Sequence, residues 1–390
     1  MISVAEALAH LFELASPMPL EHVPLRAAAG RVLAKDVTAR RTQPPFAASA
    51  MDGYALKGAE VEPDAMFKLV GEAAAGHGFA GRVEAGQCVR IFTGAPLPDG
   101  TDHVVIQEDV LRQNDLVTLG RDLDQKAHVR PAGGDFKAGD RVTAPRMLRA
   151  TDIALLAAMN IAEVPVFGQP SVAVLATGDE LVAPGEVPGP DQIIASNSYG
   201  LAAMIEDAGA RARLLPIARD TKSALTAALQ LAATADLIIT IGGASVGDHD
   251  LVADVAEELG MRQSFYKVAM RPGKPLMAGR LGSASMIGLP GNPVSALVCG
   301  HIFVRPVLRA MLGLGQEPAP RKTAKLAAPL SSNGPREHYM RAYSTANGLV
   351  AFDRQDSSLL TVLAGADALI VRPPQDPAQP MGAEVQYVPL

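Results

Sequence analysis

The chain of 390 residues contains no tryptophan, and aromatic residues make up only 4% of it. Charged residues amount to 19%, with 41 acidic against 35 basic side chains and a formal net charge of −6. A nucleic-acid binder draws on a basic footprint and on aromatic stacking platforms, and this composition supplies neither. Local anion sites stay open to it, because net charge says little about a single cleft. There are two cysteines, Cys88 and Cys299, each flanked by apolar, small or uncharged residues, with no CxxC pair and no His/Cys cluster. That argues against a disulfide framework and a structural zinc site, and for buried, reduced thiols in a cytoplasmic protein. The histidines, His10, His22, His77, His103, His128, His249, His301 and His338, show no HxxxH spacing, and none reads as a metal ligand. The absence of GxSxG, P-loop and GxGxxG motifs withdraws support from serine hydrolase, Walker-type NTPase and Rossmann dehydrogenase readings. Residues 1–15 carry Glu6 and Glu13 but no Lys or Arg, so no signal peptide is expected there. The apolar stretch 153–167 is broken by Asn160 and Glu163 and is too short for a membrane span.

What is present argues for a globular chain of several domains. Hydrophobic residues reach 48%, enough for a sizeable core, and the length suits two to four domains. The 36 Gly and 30 Pro imply many turns. Ile2, Ala5, Leu8, Leu11 and Phe12 follow helical spacing. From 45 to 140, short apolar runs at 67–70, 89–92, 104–106 and 116–119 alternate with turn residues, which predicts a mainly β module. A second helix is expected after Thr151, a candidate N-cap, followed by an extended piece at 163–167. This piece is expected to pack back on the N-terminal helix, so that 1–44 and 141–169 form one elongated, discontinuous domain with 45–140 inserted in it.

Residues 170–314 repeat strand, polar loop and helix, with apolar runs at 172–175, 213–217, 237–241, 265–268 and 286–289. The pattern predicts a doubly wound, mainly parallel α/β sheet, which binds ligands beyond the carboxyl ends of its strands. Residues 315–390 read as a small C-terminal β barrel or sandwich. The fold class is therefore multidomain α/β.

The unusual motifs fall at those strand ends. GGASVGDHD at 242–250 follows a buried run and precedes a helix. Gly242, Gly243 and Gly247 would let backbone N–H groups approach an anion, and Ser245 adds a hydroxyl. Asp248 and Asp250 beside an anion suggest a bridging divalent cation, although Asp248 reads equally well as a helix cap. PGNPVS at 290–295 offers Pro290, Gly291, Asn292, Pro293 and Ser295 as a second such loop. An efficient helix start accounts for Asn292 and Pro293, but not for the Pro290-Gly291 pair. Lys267, Arg271 and Lys274 lie within eight residues around the rigidifying Pro272, Gly273 and Pro275. They suit an oxyanion better than solvated surface charge. Asp179, Glu180 and Asp220 sit at two further strand ends, where a parallel sheet would gather them with Asp250 for a hard cation or general-base work. Asp52-Gly53 by itself is only a turn signal.

These residues, taken in order, resemble a known family. SAMDGYA at 49–55, TGA at 93–95 with PDGTD at 98–102, TGDEL at 177–181, GGASVGD at 242–248, PGKP at 272–275 and GLPGNPVSA at 288–296 resemble the molybdopterin molybdenumtransferase (MoeA) family, which includes the gephyrin E domain. Any one motif is weak, whereas six in register over nearly the whole chain are specific. The resemblance implies the four-part subunit just described and an elongated homodimer whose active sites are shared between the α/β domain of one subunit and the β domain of the other. It implies a reaction in which molybdate and adenylylated molybdopterin, with a divalent cation such as Mg2+, give the molybdenum-loaded dithiolene and AMP. On this resemblance Gly242, Gly243, Ser245 and residues 290–295 hold the nucleotide phosphates, and Arg271, Lys274 and Ser245 border the molybdate. Glu180, Asp220 and Asp250 place the cation or the attacking oxygen, and Asp52, Thr93 and Asp135 come from the partner subunit. Arg336 or Arg341 closes the site. Transient contact with molybdopterin adenylyltransferase and with molybdoenzyme chaperones is also implied, and neither a nucleic acid nor a membrane is. The chain departs from the family at Ile241, often Ser or Thr there, at Arg271, more usually Lys, and at His249, commonly Tyr. Two other readings are an adenylyltransferase of the sibling type and a scaffold that binds molybdopterin without turnover.

Overall fold

The structure, a computed structural model, describes residues 1–243 and 251–390. The first helix, Val4–Leu14, opens with a capping box: the Ser3 N–H donates to Glu6 Oε2 at 2.7 Å and the Glu6 N–H to Ser3 Oγ at 3.1 Å. Its apolar stripe, Val4, Ala7, Leu8 and Leu11, lies in one core with Val172, Ile239 and Phe303. The carbonyl of Leu14 accepts from Arg280 Nη2 at 2.6 Å and Ser285 Oγ at 2.7 Å. The N-terminal helix thus packs on the α/β sheet, not on the elongated domain as its sequence position suggested. A helical stripe shows which face is buried but not against which partner.

The elongated domain is a small antiparallel sheet in which Leu20–Pro24 pairs with Glu163–Phe167 and Val32–Leu33 with Arg146–Met147. Its core gathers Leu33, Leu148, Leu156, Ile161 and Val166. The helix here is Ala150–Ala158, so Thr151 lies inside it and is not the cap. Asp152 does that work: it accepts the Arg149 N–H at 2.8 Å and pairs with Arg146 at 2.7 Å. The chain leaves for the inserted domain and returns through the pairing of Val37–Thr38 with Arg141–Val142.

The inserted domain holds a six-stranded sheet in the order His103–Ile106, Gly53–Leu56, Gln87–Ile91, Met66–Ala73, Leu116–Leu119, Val110–Gln113. Alternation along its strands buries Tyr54 and Leu56 in one cluster and Ala55 in another.

The α/β sheet runs Arg211–Leu214, Ser171–Ala176, Leu237–Ile241, Ala284–Leu289, Met277–Leu281, Arg262–Tyr266. The first four strands are parallel, Met277–Leu281 runs against them, and Arg262–Tyr266, antiparallel to it, runs with the first four again. The helix Pro293–Met311 is, among the described residues, the one long and apolar enough to cross a membrane, and 78% of its most apolar window is buried in the protein. It carries a π turn at Gly300–Val304, and Gly300 sits so close to the neighbouring helix that a Cβ there would lie 2.8 Å from Met204 Sδ.

The C-terminal sheet runs Glu337–Thr345, Ala368–Arg372, Glu384–Pro389, Lys322–Lys325, with Gly348–Ala351 beside its first strand. A bridge between Leu326 and Leu349 curls it toward a barrel. Its outer strand is borrowed: Met270–Arg271, from the α/β domain, pairs parallel with Glu337–Thr345.

Leu11 is 1% exposed. Leu11→Ala is expected to lower stability by about 2–5 kcal/mol in urea denaturation, whereas Thr151→Ala should change it by less than about 0.5 kcal/mol. A neutral Leu11→Ala would contradict the docking of the first helix on the sheet.

Candidate active site

The parallel ladder brings three loops to one level. Leu175 is registered with Thr240, and Thr240 with Gly288, so the chain segments after 176, 241 and 289 emerge side by side. Gly242 and Gly243 both take positive φ, +94° and +70°. A Cβ on Gly242 would lie 2.6 Å from the Thr177 carbonyl oxygen, and one on Gly243 would lie 2.2 Å from Val252 Cγ2. Only glycine fits either position. Gly291 approaches Gly242 from the other side, with 3.6 Å between its Cβ position and Gly242 Cα, and its carbonyl accepts from Asn197 Nδ2 at 2.7 Å. Ser245, Gly247, Asp248 and Asp250 lie outside the described residues.

Carboxylates gather at the next strand ends. The Asp220 N–H donates to Asp179 Oδ1 at 3.4 Å, and Glu180 folds back over Gly178, where a Cβ would meet its Oε2 at 2.5 Å. Partial burial, then the charges of Asp179 and Glu180, push the Asp220 carboxyl above the usual range. A hard cation beside Glu180 and Asp220 would reverse that cost. Among the described residues no group of three His, Cys, Asp or Glu side chains could hold a metal by itself. One or two carboxylates completed by substrate phosphates is, however, the usual way Mg2+ is held, so the residues present fit such an ion. Beside them lies a cleft of about 430 Å³ lined by Gly178, Asp179, Leu181, Tyr199, Ile217 and Arg219, among others.

The cationic loop is fixed at both ends. The Lys267 N–H donates to the Leu276 carbonyl at 2.9 Å and the Val268 N–H to the Lys274 carbonyl at 3.0 Å. Gly273 is seated on Cys299, with 2.4 Å between its Cβ position and Sγ. Pro275 and Lys274 are half-buried, and Lys267 places Nζ 4.9 Å from the Tyr266 ring centre. Both C-terminal arginines reach this region. Arg336 Nη1 donates to the Met270 carbonyl at 3.3 Å. Arg341 is fully buried and donates from Nη2 to the Asp356 carbonyl at 3.0 Å, while its Nε and Nη1 are buried without a partner. Burial, then Arg271, holds the Arg341 pKa down to about 10. His338 is also buried with Nε2 unpartnered, and burial followed by Arg271, Arg341, Arg372 and Arg336 brings it down to about 3. This is a concentration of positive charge that an oxyanion would stabilise.

Residues 290–295 are tied to the same domain. Asn292 occupies the N-cap position but makes no capping bond. Its Nδ2 donates instead to Ser357 Oγ at 3.0 Å, and the Val294 N–H donates to the Ser357 carbonyl at 3.0 Å. Pro293 stands in the first turn of the helix, and Pro290 is buried. Ser295 is only 4% exposed and lies on the buried side of that helix.

Asp52 and Thr93 meet in the inserted domain, where Asp52 Oδ1 accepts from the Thr93 N–H and Oγ1, both at 2.7 Å. These two bonds, with a smaller contribution from Arg90, hold the Asp52 carboxyl below its usual range. Asp135 is exposed, and its N–H donates to the Gln43 carbonyl at 3.1 Å. Among the described residues no hydrogen bond or ion pair links Asp52, Thr93 or Asp135 to Glu180, Asp220 or the cationic loop. The expected residues therefore form two groups in one chain. Sequence reasoning missed Asn197, Ser357 and His338. Asn197 and Ser357 are unremarkable polar residues whose partners lie 94 and 65 positions away, so local spacing carries no signal for them.

A chain with a mainly parallel α/β sheet, an inserted β domain and a C-terminal barrel, whose strand-end glycines stand near a cluster of arginines, belongs to the class of multidomain α/β proteins. Three family profiles match it: the MoeA N-terminal region (domains I and II) over residues 2–160, a probable molybdopterin binding domain over 173–310, and the MoeA C-terminal region (domain IV) over 323–390. It is 37% identical over 378 residues to a molybdopterin molybdenumtransferase of Nostoc sp., covering 93% of this chain and 86% of that one. It is 36% identical over 362 residues to molybdopterin molybdenumtransferase 2 of Mycobacterium tuberculosis, covering 89% of each. A solved molybdopterin biosynthesis MoeA protein from Pyrococcus horikoshii superposes with a TM-score of 0.84 at 25% identity over 100% of both chains. The chain belongs to the molybdopterin molybdenumtransferase (MoeA) family.

His338 and His301 are both kept neutral by burial, with pKa values brought down to about 3 and about 4. The unfolded chain takes up these protons near pH 6.5 and the folded chain does not, so stability is full above that pH and falls as the pH drops toward 4 and 3. Between pH 7 and 5 the loss should be on the order of 1–2 kcal/mol for each histidine. Urea midpoints at the two pH values check this, and His301→Gln should flatten the dependence.

Proposed function

We propose that the protein inserts molybdenum from molybdate into adenylylated molybdopterin, with cleavage of the pyrophosphate bond and release of AMP. The observation that carries this reading is the order of sites along the sheet's carboxyl edge. The cleft at Tyr199 comes first, then Gly242 and Gly243, then residues 290–293, then Arg271 with Arg341. A pyrophosphate over the glycines would direct the adenosine toward the cleft and the dithiolene toward the arginines, where the oxyanion substrate belongs. Membership of a family whose relatives are named for this transfer supports it.

In this reading Gly242, Gly243, Gly291 and Asn292 border the phosphates, and Arg271, Lys274 and Arg341 hold molybdate. Glu180 and Asp220 would hold Mg2+, which when bound neutralises pyrophosphate charge as a Lewis acid. That ion would relieve the Asp220 carboxylate of the cost that partial burial and the charges of Asp179 and Glu180 impose on it. Asp52, Thr93 and Asp135 lie on another domain and serve the site of a second subunit in a homodimer, in the cytoplasm.

The primary test is AMP release from adenylylated molybdopterin in magnesium buffer, with and without molybdate. Molybdate-dependent AMP is expected, and tight binding without AMP would point to a scaffold. Asp220→Asn should lower kcat by about 100-fold or more with folding intact. Tyr199→Ala should raise KM about tenfold through loss of stacking, with kcat changed less than about twofold.

A further inference from the structure

Arg90 has no part in the assignments above, yet its guanidinium is the hub of the Asp52 turn. It lies on strand Gln87–Ile91 directly opposite Tyr54. Nη1 donates to the Gly53 carbonyl at 3.1 Å, and Nη2 donates to Gln107 Oε1 at 2.6 Å. The Gln107 N–H in turn donates to the Asp52 carbonyl at 3.0 Å. The guanidinium carbon stands 5.2 Å from the Tyr54 ring centre and 4.8 Å from that of Phe92, which immediately precedes Thr93. Gly53 packs so closely on the neighbouring strand that a Cβ there would lie 2.1 Å from the Val105 carbonyl oxygen. Among the described residues no ion pair involves Arg90, so its charge is not placed there for a salt bridge, although it acts on Asp52 at longer range. What it contacts are the Gly53 carbonyl of the turn, the Gln107 side-chain amide oxygen and the rings beside them. Rigid supports of this kind set the direction of a reactive group more closely than the group's own rotamers do.

We propose that Arg90 is a positioning residue for Asp52. It clamps the Asp52–Gly53 backbone directly and through Gln107, so that the carboxylate held by Thr93 points out of the inserted domain in one fixed direction. This rests on the reading of Asp52 as part of the shared site. Lysine cannot replace it, because an ammonium lacks the planar fork that spans Gly53 and Gln107.

The experiment compares Arg90→Met, Arg90→Lys, Asp52→Asn and the double variant Arg90→Met/Asp52→Asn in the molybdate-dependent AMP-release assay, with thermal unfolding of each. Arg90→Met is expected to lower kcat by about 10- to 100-fold while KM changes less than about twofold, with Arg90→Lys recovering only part of the loss. In the Asp52→Asn background, Arg90→Met should cost nothing further. Full additivity in the double variant, or wild-type kcat in Arg90→Met, would overturn the inference while leaving the role of Asp52 intact. Wild-type kcat in Asp52→Asn would instead remove Asp52 from the site, and the inference with it.

Discussion

The parallel ladder joining Ser171–Ala176, Leu237–Ile241 and Ala284–Leu289 is the constraint on which the site depends. Its register sets the three following segments at one height, and glycine at 242 and 243 lets them close to contact distance. The strands are almost wholly buried, so a slip in register would displace their side chains from a packed core. The core that holds this register reaches beyond the sheet. It includes the N-terminal helix and Tyr339, Leu369 and Val371 of the C-terminal barrel.

That shared core explains how the cationic loop comes to stand beside the strand-end segments at 242–243 and 290–295. Met270–Arg271 is part of the α/β domain by sequence and of the C-terminal sheet by hydrogen bonding. The Asn292–Ser357 bond makes a second tie between the same two domains. Arg341, held at Asp356, is therefore placed one residue from Ser357, and so near the 290–295 segment. Burying a guanidinium with two unpartnered nitrogens is costly, and a core built for stability alone would carry an apolar side chain there.

The inserted domain is organised on another principle. Its sheet has its own two clusters, and the elements that present Asp52 and Thr93 are held by polar bonds around Arg90 rather than by the common core. The domain joins the rest of the chain through a narrow antiparallel neck, Val37–Thr38 with Arg141–Val142.

Much of this was legible in the residues. Short apolar runs between turn residues and repeated strand–loop–helix patterns marked the β module, the parallel sheet and the C-terminal strands, because apolar runs report which segments are buried. Paired glycines and prolines at strand ends marked the loops, because a positive φ or a close approach leaves no other choice. What only the tertiary structure decided were the pairings between distant segments. These are the first helix on the α/β sheet, Asp152 in place of Thr151 at the second helix, Asn292 reaching Ser357 instead of capping, and Met270–Arg271 lent to the C-terminal sheet. Local sequence specifies a segment's shape and its apolar face. Which of several complementary faces it meets depends on loop geometry and on the summed burial of the whole chain.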